Sequence, residues 1–164
     1  MKLFEYAGIS LLFLLFVNSA FSVNKPMVFS TWEGFEVDKC ASIWVIKKFI
    51  DKNAVIKFIS KGKKIDKGIP FDTPDAKLRR YHNMSTFETI IKAYKLNDPK
   101  LLYIAKIIHD IEINVWNQKI MPETDHVKNA IQTIITSSKG NDYIIRESMM
   151  LFDALYNKVN NYIP

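Results

Sequence analysis

The sequence predicts a mainly helical α+β domain, about five helices with two or three short strands near its N-terminus. Three observations predict it. Apolar residues recur at helical spacing through the second half of the chain. Helix-start signals stand in front of those stretches, in Ser85-Thr86-Phe87-Glu88 and Asp98-Pro99. The one clear β-branched run, Val55 to Ile59, falls in the first half.

The chain opens with Lys2, the apolar run Ile9 to Val17 and small residues at Ser19, Ala20 and Ser22. This is a secretory signal pattern, with cleavage after Ser22 or Ala20. The run is short for a spanning helix. Glu5 is untypical of a basic leader and keeps an uncleaved anchor as the alternative. No cysteine follows the run, which argues against a lipoprotein. Residues 23–164 are then one mature domain, exported to the periplasm or the outside, with no further apolar stretch of membrane-spanning length.

Within that domain, Val23 to Thr31 is an extended lead with a strand at Met27-Val28-Phe29. Asp38 to Ile50 reads as the first helix, with Ala41, Val45, Ile46, Phe49 and Ile50 inward and Cys40 near the polar edge. Val55 to Ile59 is a strand. Ser60 to Met84 is a long basic connection, and Ile69-Pro70-Phe71-Asp72 within it suits an edge strand. A connection of this length in a small domain usually wraps a site. Ser85 to Glu88 is a capping box that opens a helix to about Lys95. Asp98 caps the next helix, with Pro99 at its first position. Thr124 to Ser138 forms another, stopped by Gly140. Asn141 to Tyr162 closes the chain with Ile145, Met149, Phe152, Leu155, Tyr156 and Val159 as its apolar positions.

The net charge of +6 belongs to the mature domain, because Lys2 and Glu5 cancel in the leader. Lys57, Lys61, Lys63, Lys64 and Lys67 crowd one segment. For an exported chain this points away from nucleic acid and towards a small anion or an anionic surface, unless the segment is simply a solvated lysine-rich loop. A single cysteine, Cys40, excludes an internal disulfide. It is a free thiol, an intermolecular link or a soft ligand, or simply a cysteine packed in part against the fold.

The sharpest candidates are His109 and Glu112. On a helical wheel Leu101, Ile104, Ala105 and Ile108 share one face of the helix that starts at Pro99. Glu112 points into the middle of that face and His109 lies beside it, while Asp110 falls on the opposite, wet side. A carboxylate aimed at a core must be paired, protonated or bound to a cation. A His and a Glu three apart can share one cation, as in helical bundles that build metal sites from facing helices. Asp38 lies within the apolar arc of the first helix, where it also suits the N-cap. Glu88 belongs to the capping box. His82 sits in the loop before Ser85 and offers a further imidazole. Trp116 follows the helix and is a candidate pocket wall. No zinc-protease His-Glu-x-x-His, no Gly-rich phosphate loop and no Gly-x-Ser-x-Gly elbow is present.

The segments together resemble a known family. Phe35 to Asp51, with Asp38-Lys39, Trp44-Val45-Ile46 and Phe49-Ile50-Asp51, is similar to the opening of the chromate-resistance ChrB-like domain. Gly68-Ile69-Pro70-Phe71-Asp72-Thr73-Pro74 matches its middle. Leu78-Arg79-Arg80, Ser85 to Glu88 and Ile108 to Asn114 match its later motifs. The resemblance runs from about Trp32 to Trp116. The chain departs from it at Ser42, where some relatives carry Cys, and at Val45, where Leu is usual. The family has a cytoplasmic form found with chromate efflux systems and an exported single-domain form, and the leader makes this chain resemble the second. The resemblance implies chromate or metal stress by association.

The leading expectation is an exported protein that binds a small inorganic ion. His109 and Glu112, with Asp38, His82 or Glu88, would hold a divalent metal such as zinc, manganese or iron. Arg79 and Arg80 would hold an oxyanion such as chromate through forked hydrogen bonds. A metal-dependent enzyme using the same site is the alternative. The third reading is structural, with Glu112 paired to a Lys or Arg. Substrate and oligomeric state are not legible in the sequence.

Overall fold

The structure, a computed structural model, describes residues 25–137 and 139–159. The expected signal peptide over residues 1–22 lies outside them. The chain runs β1 (Val28–Trp32), α1 (Val37–Val45, continued by a π-helical turn Ile46–Ile50), β2 (Val55–Ile59), β3 (Ile69–Pro70), α2 (Thr86–Ala93), α3 (Pro99–Glu112), α4 (Thr124–Thr136) and α5 (Asn141–Lys158). This is the expected α+β architecture of five helices and a small N-terminal sheet.

The three strands form one parallel sheet in the order β2-β1-β3. Val28 pairs with Val55 and Trp32 with Ile59 on one side of β1, and Phe29 with Ile69 on the other. The central strand carries Phe29, Ser30 and Thr31, all fully buried, as a strand covered on both faces must. Pro70 lies in the edge strand, where its missing N–H costs no ladder bond. Gly68 just before it adopts φ +85°, and a Cβ there would lie 2.7 Å from Ser30 Oγ and 2.9 Å from the Val28 carbonyl oxygen. Gly68→Ala is therefore expected to destabilise the protein by about 2 kcal/mol through clash and left-handed strain. Chemical denaturation measures it, and an unchanged midpoint would contradict the close approach.

Helix α1 is the hub. Every one of its nine residues is buried, including Asp38 and Lys39. Trp44 packs on Phe49, Phe87, Phe152 and Tyr156 and donates its Nε1–H to Asp153 at 2.9 Å. Helices α2, α3, α4 and α5 all pack against it.

Two wheel expectations fail here. Cys40 is not at a polar edge but is 2 % exposed, and burial pushes its thiol up to about 11. Asp110, expected on the wet side of α3, is 2 % exposed. The loop after α3 folds back over it. Its carboxylate accepts from Asn114 Nδ2, from the backbone N–H of Ile120 and Met121, and from Thr124 Oγ1, all at 2.6–3.0 Å. Trp116, the candidate pocket wall, is 94 % exposed.

Candidate functional site

Glu112 closes α3, and its side chain is 10 % exposed, as its place on the apolar face requires. Its counter-charge is Arg80, which donates to it from the loop before α2. Arg80 also lies 3.9 Å from Glu36, at the start of α1, and 3.9 Å from Asp38. The guanidinium side chain is 39 % exposed, so it plugs the cluster from the solvent side.

Asp38 sits at the bottom of this cluster, fully buried. It is a helix cap, but of a different helix from the one expected. Helix α1 starts one residue earlier with no side-chain cap. Asp38 instead reaches across to α2 and accepts the free N–H groups of Thr86 at 2.7 Å and Phe87 at 2.8 Å. Ser85 and Glu88 complete the capping box, so α2 begins with its free donors satisfied from two directions.

Asp72 stands on the same side of the cluster. It accepts from Thr86 Oγ1 at 2.8 Å and lies 3.4 Å from Lys39 Nζ. Lys39 is itself anchored by the carbonyls of Trp32 and Gly34. Asp72 has φ 52°, a left-handed backbone rare for an L-residue, which marks the bend after β3.

Two cations thus face four carboxylates: Arg80 and Lys39 against Glu36, Asp38, Asp72 and Glu112. The imbalance is written in their acidities. Burial, reinforced by the Asp72 charge, pushes the Asp38 carboxyl up to about 7 despite its two backbone hydrogen bonds. Burial, then the neighbouring Glu36, raises Asp72. Burial raises Glu112, with Arg80 pulling the other way. A cleft of about 340 Å³ leads to the cluster, lined by Glu36, Asp72, Thr73, Pro74, Arg79 and Arg80. The arrangement can take up a proton, because its resident charges do not cancel.

The expected site residues divide. Asp38, Arg80 and Glu112 come together. His109 and Glu88 pair with each other, His109 Nδ1 lying 3.1 Å from both carboxylate oxygens of Glu88. His82 is exposed in the turn between Tyr81 and Met84, and Arg79 stacks on Tyr81 with 4.5 Å from guanidinium carbon to ring centroid. Among the described residues, no three or more His, Cys, Asp or Glu side chains are arranged to hold a metal ion. Glu36, Lys39 and Asp72 were not nominated by the sequence. All three lie inside the matched motifs, Glu36 and Lys39 in Phe35 to Asp51 and Asp72 in Gly68 to Pro74, and that is the available signal.

No curated protein and no solved structure is detectably similar to this chain. Among the described residues no helix is long and apolar enough to cross a membrane. The family model for the C-terminal domain of ChrB matches residues 29–159, which takes in every helix described above and, but for Val28, every strand. The chain belongs to the ChrB C-terminal domain family.

Proposed function

We propose that this protein is an exported binding protein for a small ion, and that its site is the carboxylate cluster closed by Arg80. One observation carries the reading. The motifs around Asp38-Lys39, Phe71-Asp72, Arg79-Arg80, Ser85 to Glu88 and His109 to Glu112 are far apart in sequence, yet the fold gathers Asp38, Lys39, Asp72, Arg80, Thr86 and Glu112 from them into one cluster. The leader-like sequence of residues 1–22 supports export, and the family supports a link to chromate or metal stress.

The charge balance favours a cation over an oxyanion as the ion. An oxyanion entering beside Arg80 would meet four carboxylates, whereas a divalent cation would replace the guanidinium as their counter-charge, the carboxylates closing in from their present places around Arg80, where they are not arranged to hold a metal. The donors at the cluster are oxygens and no imbalance calls for imidazole or thiolate, so manganese or iron(II) suits it better than zinc or copper. Arg80 then acts as a resident stand-in that swings into solvent when the ion binds.

Titration calorimetry with Mn²⁺ on the wild type, Arg80→Gln, Asp72→Asn and Glu112→Gln tests this. Arg80→Gln is expected to bind Mn²⁺ at least about tenfold more tightly, since the competing charge is gone, and the two carboxylate variants about tenfold more weakly. If Arg80→Gln instead abolishes binding of chromate and leaves Mn²⁺ unaffected, the oxyanion reading replaces this one. If no variant changes the binding of either ion, the cluster is structural.

A further inference from the structure

A second cleft, of about 860 Å³, opens between α2 and α3 and shares no lining residue with the cleft at Arg80. Its floor is apolar, made by Ile91, Leu96, Leu102, Ala105, Ile120 and Met121. Leu102 and Ile120 are left 46 % and 79 % exposed there. Three lysines stand on its rim: Lys92, Lys95 and Lys106, all exposed. Among the described residues, the side chains of these three form no ion pair, hydrogen bond or ring contact. The two acids that line the cleft are already engaged, Glu88 with the Ser85 N–H and His109, and Asp110 with the loop that follows α3. An oily trough is thus edged by uncompensated positive charge.

Lys95 adds an independent argument. Helix α2 ends in a Schellman motif, with the Leu96 N–H bonded to the Ile91 carbonyl at 3.0 Å and the Lys95 N–H to the Lys92 carbonyl at 3.2 Å. The motif puts Lys95 at φ 53°, a left-handed position where glycine is the usual residue. A lysine there accepts backbone strain while it sets an ammonium at the edge of the cleft. The Leu96–Ile91 pair that the motif brings together forms part of the floor.

We propose that this cleft binds a fatty-acid anion, its hydrocarbon chain along the floor and its carboxylate among Lys92, Lys95 and Lys106. The volume is within the range of about 300–1,000 Å³ usual for small-molecule sites. An apolar bed with a few polar groups at one margin is how such sites fix orientation. Lysines meet a carboxylate as point charges, which suits a head group held loosely at a rim.

The test is titration calorimetry on the purified protein, passed over a hydrophobic resin to remove any copurified amphiphile. Dodecanoate, kept below its micelle-forming concentration, is expected to bind one per chain. Acetate, which lacks the chain, and dodecyltrimethylammonium, which reverses the head charge, should bind at least about tenfold more weakly. Leu102→Asp puts a charge on an exposed part of the floor and should weaken dodecanoate by about tenfold or more. Lys95→Gly should weaken it by about threefold while the unfolding temperature holds or rises, since glycine relieves the left-handed strain. A purely structural role for Lys95 would leave dodecanoate affinity unmoved. The proposal is overturned if dodecanoate does not bind, if dodecyltrimethylammonium binds as tightly, or if neither variant changes the affinity. A dimer that Leu102→Asp dissociates, with no dodecanoate bound, would assign the cleft to a second copy of the chain and also overturn it.

Discussion

Asp110→Ala is expected to lower the free energy of unfolding by about 3 kcal/mol, because it removes a buried carboxylate that satisfies four donors at once. The Asp110 carboxylate accepts two backbone N–H groups, a hydroxyl and an amide from the loop that closes α3 onto α4. Its backbone carbonyl also receives the Lys119 ammonium, which ties the same loop down. Alanine leaves the Ile120 and Met121 N–H groups without their acceptor. Asp110→Asn, which keeps one oxygen, should cost about half as much. Urea denaturation of the three proteins measures both, and an alanine variant within about 0.5 kcal/mol of wild type would show that water replaces the carboxylate without loss.

The same residue gives the protein an acid limb. Burial alone would raise the Asp110 carboxyl, but hydrogen bonds from Thr124, Asn114, Met121 and Ile120 outweigh it and hold it down at about 2, below its ordinary 3.8. A carboxyl depressed by folding contributes stability that is fully present above about pH 4 and is lost as pH falls towards 2. Wild type and Asp110→Ala should therefore converge in stability over that window. A gap that stays constant down to pH 2 would show that the hydrogen bonds do not depend on the charge.

How much of this was legible in the sequence follows from what each signal can see. The caps of α2 and α3 were readable because a capping box and an Asp-Pro start act within a few residues, and both formed as expected. The inward aim of Glu112 was readable from the wheel, since its neighbours at helical spacing are apolar. Its partner was not, because Arg80 comes from a loop 32 residues earlier and only the packing of α1, α2 and α3 brings the two together. Asp110 shows the limit most plainly. A wheel describes the face a helix presents, and the cover over Asp110 is not a helix but the returning backbone of residues 120 and 121. Asp38 was readable as a cap, yet the wheel could name only its own helix, whereas the fold gives it the start of another. Asp72 carried no local signal beyond its motif. Its importance lies in reaching Lys39 and Thr86 together, which depends on the bend that follows β3.

Arg80→Ala is expected to cost about 2 kcal/mol at pH 8, less than the roughly 3–5 kcal/mol for breaking a fully buried ion pair, because the Glu112 side chain is 10 % exposed but that of Arg80 is 39 % exposed and screened by solvent. Glu112 would then stand ionised with little exposure and Asp38 would lose a neighbouring counter-charge, leaving Lys39 as the remaining cation of the cluster. The cost should shrink on acidification, and the sign follows from the carboxyls. Folding already raises Asp38 to about 7, and Glu112 above its ordinary value even with Arg80 present. Without the guanidinium both rise further. A carboxyl raised by folding favours the native state while protonated, and that stability is lost as pH climbs through the folded value. The variant should therefore recover most of its deficit between about pH 8 and pH 5, in the opposite sense to the Asp110 limb. Arg80→Ala together with Glu112→Gln should be more stable at pH 8 than Arg80→Ala alone, since the second change removes the charge that the first one strands. Mn²⁺ should raise the unfolding temperature of Arg80→Ala more than that of the wild type, because a cation at the cluster supplies what the guanidinium no longer does. If the loss is the same at pH 5 and pH 8 and Mn²⁺ does nothing, then Arg80 contributes through packing of its side-chain stem, and the carboxylates around it are satisfied by hydrogen bonds alone.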